Sequence, residues 1–109
     1  MSKKVSDILP KTEILAQLAE EASELAQAAL KLRRALDGTN PTPKSVAECE
    51  TNLMEEFADI SNVVDVLCDA WFGDDLDSES EFWNAKYEIE EAKYKRWLSR
   101  LEEKEQSDE

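Results

Sequence analysis

Two short acidic stretches carry the residue types most able to do chemistry. "EEASE" at 20–24 places Glu20, Glu21 and Glu24 inside an apolar, alanine-rich run. "MEEFAD" at 54–59 places Glu55, Glu56 and Asp59 inside another. Each holds a carboxylate pair spaced i,i+3, which stacks on one face of a helix with β-carbons about 5–6 Å apart. A single such pair is ordinarily a solvated helix face. Two pairs on neighbouring helices form a cluster of hard oxygen donors. Carboxylates brought together at a half-buried border repel one another, and folding is penalised unless cations neutralise them. With no nitrogen or sulfur donor in the set, Mg²⁺ is the expected ion, with Mn²⁺ as the alternative.

The rest of the composition narrows the chemistry. The chain has 109 residues, a net charge of −13 and no histidine. Without histidine there is no Ser-His-Asp triad, no Cys-His pair and no imidazole metal ligand. Cys49 and Cys68 lack CxxC spacing and read as reduced thiols of a cytoplasmic protein. The negative charge disfavours duplex nucleic acid as a partner. It is concentrated in residues 38–77, where one basic residue (Lys44) stands against ten acidic ones, a net of −9. The opening "MSKKVSDILP" has no apolar leader core, and no apolar run reaches membrane-spanning length, so no membrane association is expected.

The elements that must position the carboxylates are helices. Apolar residues make up 41% of the chain, glycine and proline are few, and Ala, Leu, Glu and Lys are abundant, which favours one small all-α domain. The first helix is expected at about 10–36, with a stripe of Leu15, Leu18, Ala22, Leu25, Ala29, Leu32 and Leu36 and a cap at Ser6 or Asp7. "GTNPTPKS" at 38–45 is a connector. The second helix starts either at Pro43, with Thr42 as cap, or at Val46, with a Ser45…Glu48 capping box, and runs to Phe72. Its stripe is Val46, Leu53, Phe57, Ile60, Val64, Leu67 and Trp71. "GDDLDSES" reads as an acidic loop, followed by a third helix at about 80–103 and a frayed tail at 104–109. A bundle of three amphipathic helices this small is expected to be completed by oligomerisation, as a homodimer or homotetramer.

Helical geometry, about 100° per residue, places each carboxylate on its face. With Leu18 as zero, Glu21 falls at about −60°, Glu24 at about −120° and Glu20 at about 200°. With Ile60 as zero, Glu56 falls at about −40°, Asp59 at about −100° and Glu55 at about −140°. Glu21 with Glu24, and Glu56 with Asp59, are therefore expected at the border of their stripes, while Glu20 faces outward. Two antiparallel helices joined at the stripes would bring the four border carboxylates together.

"EEASE" followed by "EEFAD" resembles the EExxE…ExxD signature of the MazG-like, all-α nucleoside triphosphate pyrophosphohydrolases. "LAEEASELAQAALKLRR" and "LMEEFADISNVVDVL" are similar to the family's two motif helices, and "EAKYKRWLSRLEE" to the closing helix of its short phage or prophage members. The likeness covers residues 13–72 well and 82–103 loosely. The spacer between Glu24 and Glu56 is long for the signature, an excess the proline-containing connector can absorb. The resemblance implies a Mg²⁺-dependent hydrolase cleaving a nucleoside triphosphate between the α and β phosphates, with Glu21, Glu24, Glu56 and Asp59 as metal ligands. Glu20 matches the first glutamate of EExxE. Lys31, Lys93 and Arg96 are candidate phosphate contacts, with Arg100 beside them. Asn62 and Asn52 are candidates for a base or sugar edge. Trp71, Trp83 and Trp97 can stack a base, although core or interface packing is the commoner use of tryptophan. Two other readings stay open: a related all-α enzyme acting on dUTP, dUDP or phosphoribosyl-ATP, and a non-enzymatic acidic helical oligomer that binds a basic partner. A family member that binds nucleotides without hydrolysing them is a third.

Overall fold

The computed structural model describes residues 3–39 and 43–108. Among them are four helices and no strand: α1 (Val5–Ile8), α2 (Lys11–Asp37), α3 (Val46–Phe72) and α4 (Leu76–Ser107). The all-α reading of the sequence holds. The chain divides into two compact units, Met1–Gly73 with α1, α2 and α3, and Asp74–Glu109 with α4.

In the first unit α2 and α3 form the main pair, and α1 packs on α3. Ile14 shares a cavity wall with Val63 and Val66, whereas Glu21 and Glu24 meet Glu56 and Asp59, so α2 and α3 run antiparallel. Each has 27 residues, about 40 Å at about 1.5 Å per residue. The start of α2 differs from expectation. Pro10 occupies its N-cap position, which suits a residue with no N–H to satisfy. Asp7 belongs instead to the one-turn helix α1, where its Oδ2 accepts from the Lys4 N–H at 2.9 Å. Gly38, at φ 73°, ends α2 and donates its N–H to the Arg34 carbonyl. A side chain would strain that left-handed turn. Of the two candidate starts for α3, the later one is realised: Ser45 Oγ accepts from the Glu48 N–H at 3.1 Å. Thr42 lies outside the described residues.

The buried face of each helix is rotated from the stripe that leucine spacing suggests. On α2 the covered series is Ile14, Leu18, Glu21, Leu25, Ala28, Leu32 and Ala35. Ile14 is 1% exposed, but Leu15 is 46% and Leu36 66% exposed. On α3 the series is Val46, Cys49, Leu53, Glu56, Ile60, Val63, Leu67 and Ala70, while Phe57 and Trp71 are exposed. Both series alternate steps of three and four, the spacing of a seam between packed helices. A glutamate sits within each.

In the second unit α4 is longer at both ends than expected. Asp75 caps it, accepting from the Ser78 N–H at 3.1 Å and the Ser78 hydroxyl at 2.7 Å. Asp77 and Glu79 in its first turn suit the positive end of the helix dipole. The expected loop thus shrinks to residues 73–75, and the expected tail is helical through Ser107. No helix among the described residues is long and apolar enough to cross a membrane.

Candidate metal centre

The antiparallel pairing of α2 and α3 brings Glu21, Glu24, Glu56 and Asp59 together. One carboxylate oxygen from each lies within 4.8 Å of all the others. The four are not equivalent. Glu21 and Glu56 are half-buried within the interhelical seam, and Glu24 and Asp59 are exposed at its rim. This corrects the expectation that all four stand at the border of an apolar stripe. The covered face of α2 is centred at about −55° on the Leu18 scale, which puts Glu21 close to its middle. The same reasoning puts Glu56 inside the covered face of α3.

Burial leaves a chemical signature. Glu21 Oε2 and Glu56 Oε2 are shielded from solvent and have no hydrogen-bond partner. Buried polar atoms are ordinarily bonded, and an unpaired carboxylate oxygen is costly. The other Glu21 oxygen, Oε1, accepts from Gln17 Nε2 at 2.8 Å. Gln17 is a site residue that sequence reasoning missed, although its position four residues before Glu21 puts it on the same helical face. The carboxyl of Glu24 is raised above its ordinary value, first by the charge of Glu21, then by burial and by Glu56 and Glu20, with a hydrogen bond shared with Glu21 adding to it.

These features suit a divalent cation. Opposite ligands of a six-coordinate Mg²⁺ stand about 4.2 Å apart, twice the usual metal–oxygen distance of about 2.1 Å. Adjacent ligands stand about 3.0 Å apart, so four oxygens within 4.8 Å of one another are on the scale of such a site and must close by up to about 1.8 Å at their widest pairs. All four side chains offer hard oxygens, two of these oxygens lack a partner, and Gln17 holds the other oxygen of Glu21.

The remaining candidates divide by unit. Glu20 and Glu55 are exposed, Glu20 on the outer face of α2. Lys31 is exposed on α2, seven residues beyond Glu24, or about two turns. Asn62 is exposed one turn after Asp59 and lines a cavity beside the cluster, while Asn52 is half-buried one turn before Glu56. Trp71 is exposed near the end of α3 with Lys11 Nζ 5.7 Å from its ring. Lys93, Arg96 and Arg100 are exposed on α4 in the second unit. On the same helix Trp83 meets Phe82 edge to face and Trp97 is exposed.

A scan against models of known protein families found no match, and searches of curated proteins and of solved structures found none either.

Proposed function

We propose that the protein is a Mg²⁺-dependent nucleoside triphosphate pyrophosphohydrolase of the MazG-like kind. It hydrolyses an NTP or dNTP between the α and β phosphates, giving a nucleoside monophosphate and pyrophosphate. The observation that carries the reading is the convergence of Glu21, Glu24, Glu56 and Asp59, with two buried carboxylate oxygens lacking any partner. The EExxE…ExxD resemblance rests on these same residues. A surface acidic patch would leave its oxygens in water, whereas two of these are withdrawn from it.

Glu21, Glu24, Glu56 and Asp59 would hold the ion, and Gln17 holds one oxygen of the Glu21 carboxylate. Bound there, Mg²⁺ supplies a Lewis acid for phosphoryl oxygens and a water of lowered pKa, chemistry suited to a chain without histidine. Glu20, exposed one turn before Glu24, would assist proton removal in this reading. Lys31 offers positive charge along α2 for a phosphate chain, and Asn62 an amide for sugar or base. The exposed aromatic side chains of α4, among them Tyr94 and Trp97, agree with a homo-oligomer, and the reading carries with it action in the cytoplasm.

The test is pyrophosphate release from a panel of nucleotides, including dUTP, dUDP and phosphoribosyl-ATP, with and without Mg²⁺. Asp59→Asn and Glu24→Gln are each expected to abolish release while helicity by circular dichroism is unchanged. Full activity in either purified variant would sink the assignment. Absence of both turnover and a Mg²⁺-dependent change in melting temperature would favour the non-enzymatic reading.

A further inference from the structure

Helix α4 is 32 residues long and buries none of them. Helices in proteins draw most of their stability from packing an apolar face, so a helix this long with nothing buried carries a face to be covered. Its apolar residues show where that face lies. Leu76, Trp83, Tyr87, Tyr94, Trp97 and Leu101 fall on one line of alternating four- and three-residue steps, with Ser80 and Glu90 at the two positions between. That alternation is the heptad seam of paired helices. Tyr87, Tyr94 and Trp97 are 59%, 60% and 62% exposed, and Leu76 and Leu101 69% and 48%. A covered aromatic side chain buries about 150–250 Å², so the seam offers on the order of 500 Å² per copy. A specific interface takes about 800 Å² from each partner, and the stems of the flanking charged residues supply the remainder.

Charge on the two flanks of the seam identifies the occupant. From Lys86 onward one flank is Lys86, Lys93 and Arg100, and the other is Glu91, Leu98 and Glu105. In a parallel pair each flank lies against the opposite flank of its neighbour, five residues on. Lys86 then meets Glu91 of the second copy and Arg100 meets Glu105, each pair occurring twice by symmetry. In an antiparallel pair like flanks face each other, which sets lysine against lysine. Glu90 interrupts the seam at its middle, and its carboxylate accepts from Lys86 Nζ at 3.0 Å. A polar residue at a single seam position fixes register and pairing at a cost in stability. We infer that α4 is a self-association surface, pairing in parallel with α4 of a second copy of this chain. The inference stands apart from the hydrolase reading, which rests on α2 and α3.

The test is sedimentation of the full chain over a range of concentrations, with helicity by circular dichroism as the control for folding. The wild type is expected to dimerise. Trp97→Ala is expected to weaken association about tenfold or more, as for an aromatic side chain within an interface. The orientation is read from Arg100 and Glu105, because Lys86 and Glu91 also pair within their own helix, with Glu90 and Lys95 at 3.0 Å each. Arg100→Glu places a carboxylate four residues from both Arg96 and Lys104, which supports a single helix. A role confined to α4 itself therefore predicts no loss. Parallel pairing predicts association about fivefold weaker in Arg100→Glu, restored when Glu105→Arg is added. A chain monomeric throughout the range would overturn the inference, since the stripe is then covered by something other than a second copy. So would a dimer indifferent to Trp97→Ala, or a double variant no better than Arg100→Glu. Pyrophosphate release from a monomer removes only this inference, and dimers without release remove only the hydrolase reading.

Discussion

Replacing Glu56 by glutamine keeps the shape of the side chain and takes one negative charge out of the seam between α2 and α3. Glu56 takes part in three of the carboxylate pairs in the cluster, with Glu21, Glu24 and Asp59, all within 4.8 Å. At that separation two unit charges repel by about 0.9 kcal/mol in bulk water and about 3.5 kcal/mol at an effective dielectric of about 20. Even the water figure, taken over three pairs, comes to about 2.6 kcal/mol. Glu24 and Asp59 are at the rim, where their side chains can swing into solvent and salt screens them, so about 1–2 kcal/mol is expected to survive. The variant should therefore be more stable than the wild type when no divalent cation is present. For a domain of this size that is a rise in Tm of roughly 4–8 °C.

Magnesium should reverse the order. A ligand at about one hundred times its dissociation constant stabilises the folded state by about 2.7 kcal/mol, and the glutamine variant has lost one of the four charged donors. Thermal melts in EDTA and in excess Mg²⁺ check both halves: the variant melts higher in EDTA, and the wild type gains far more from Mg²⁺. A variant that melts below the wild type in EDTA would show that the Glu56 carboxylate is satisfied without a cation. A wild type whose Tm ignores Mg²⁺ would remove the metal centre.

Two further predictions test the packing and the charge. Ile14→Ala should cost about 2–5 kcal/mol by denaturant unfolding, the range for emptying a buried aliphatic site, whereas Leu15→Ala should cost far less because Leu15 is 46% exposed. Comparable losses would mean that the seam lies where leucine spacing puts it. The raised Glu24 carboxyl sets a pH dependence. Because its folded value lies above its unfolded one, its stabilising contribution is present at low pH and is lost as pH rises through the folded value. In EDTA, the Tm advantage of Glu24→Gln over wild type should therefore grow from acid toward neutral pH. The paired measurement cancels Asp75, whose carboxyl is lowered by the Ser78 hydroxyl and whose contribution is lost in the opposite direction, on acidification. An advantage that is flat or shrinks across that range would refute the repulsion argument.

The helices are legible in the sequence because composition and spacing agree over nearly the whole of each one, and the four carboxylates because helical spacing and antiparallel pairing suffice to bring them together. Short elements are not legible. α1 is a single turn, held by the Asp7 carboxylate on the Lys4 N–H and followed by Pro10, and so short an element has no periodicity to read. The onset of α4 is hidden because aspartate and serine mark turns and helix caps alike, and only the bond from Ser78 to Asp75 distinguishes the two uses. The depth of the cluster escapes the sequence for a more instructive reason. A leucine- and alanine-rich helix offers several adjacent stripes of equal apolar quality, and any rule that maximises burial of leucine rotates the glutamates outward. The realised packing exposes Leu15 and Phe57 and draws Glu21 and Glu56 into the seam. Hydrophobic burial alone favours the opposite rotation, by about 25 cal/mol for each Å² of apolar surface. A fold that places charge against that gradient, and leaves Glu21 Oε2 and Glu56 Oε2 unpaired there, is poised to gain stability from whatever neutralises them. That makes the two seam glutamates, more than the four-residue motif as a whole, the feature on which a metal-binding function depends.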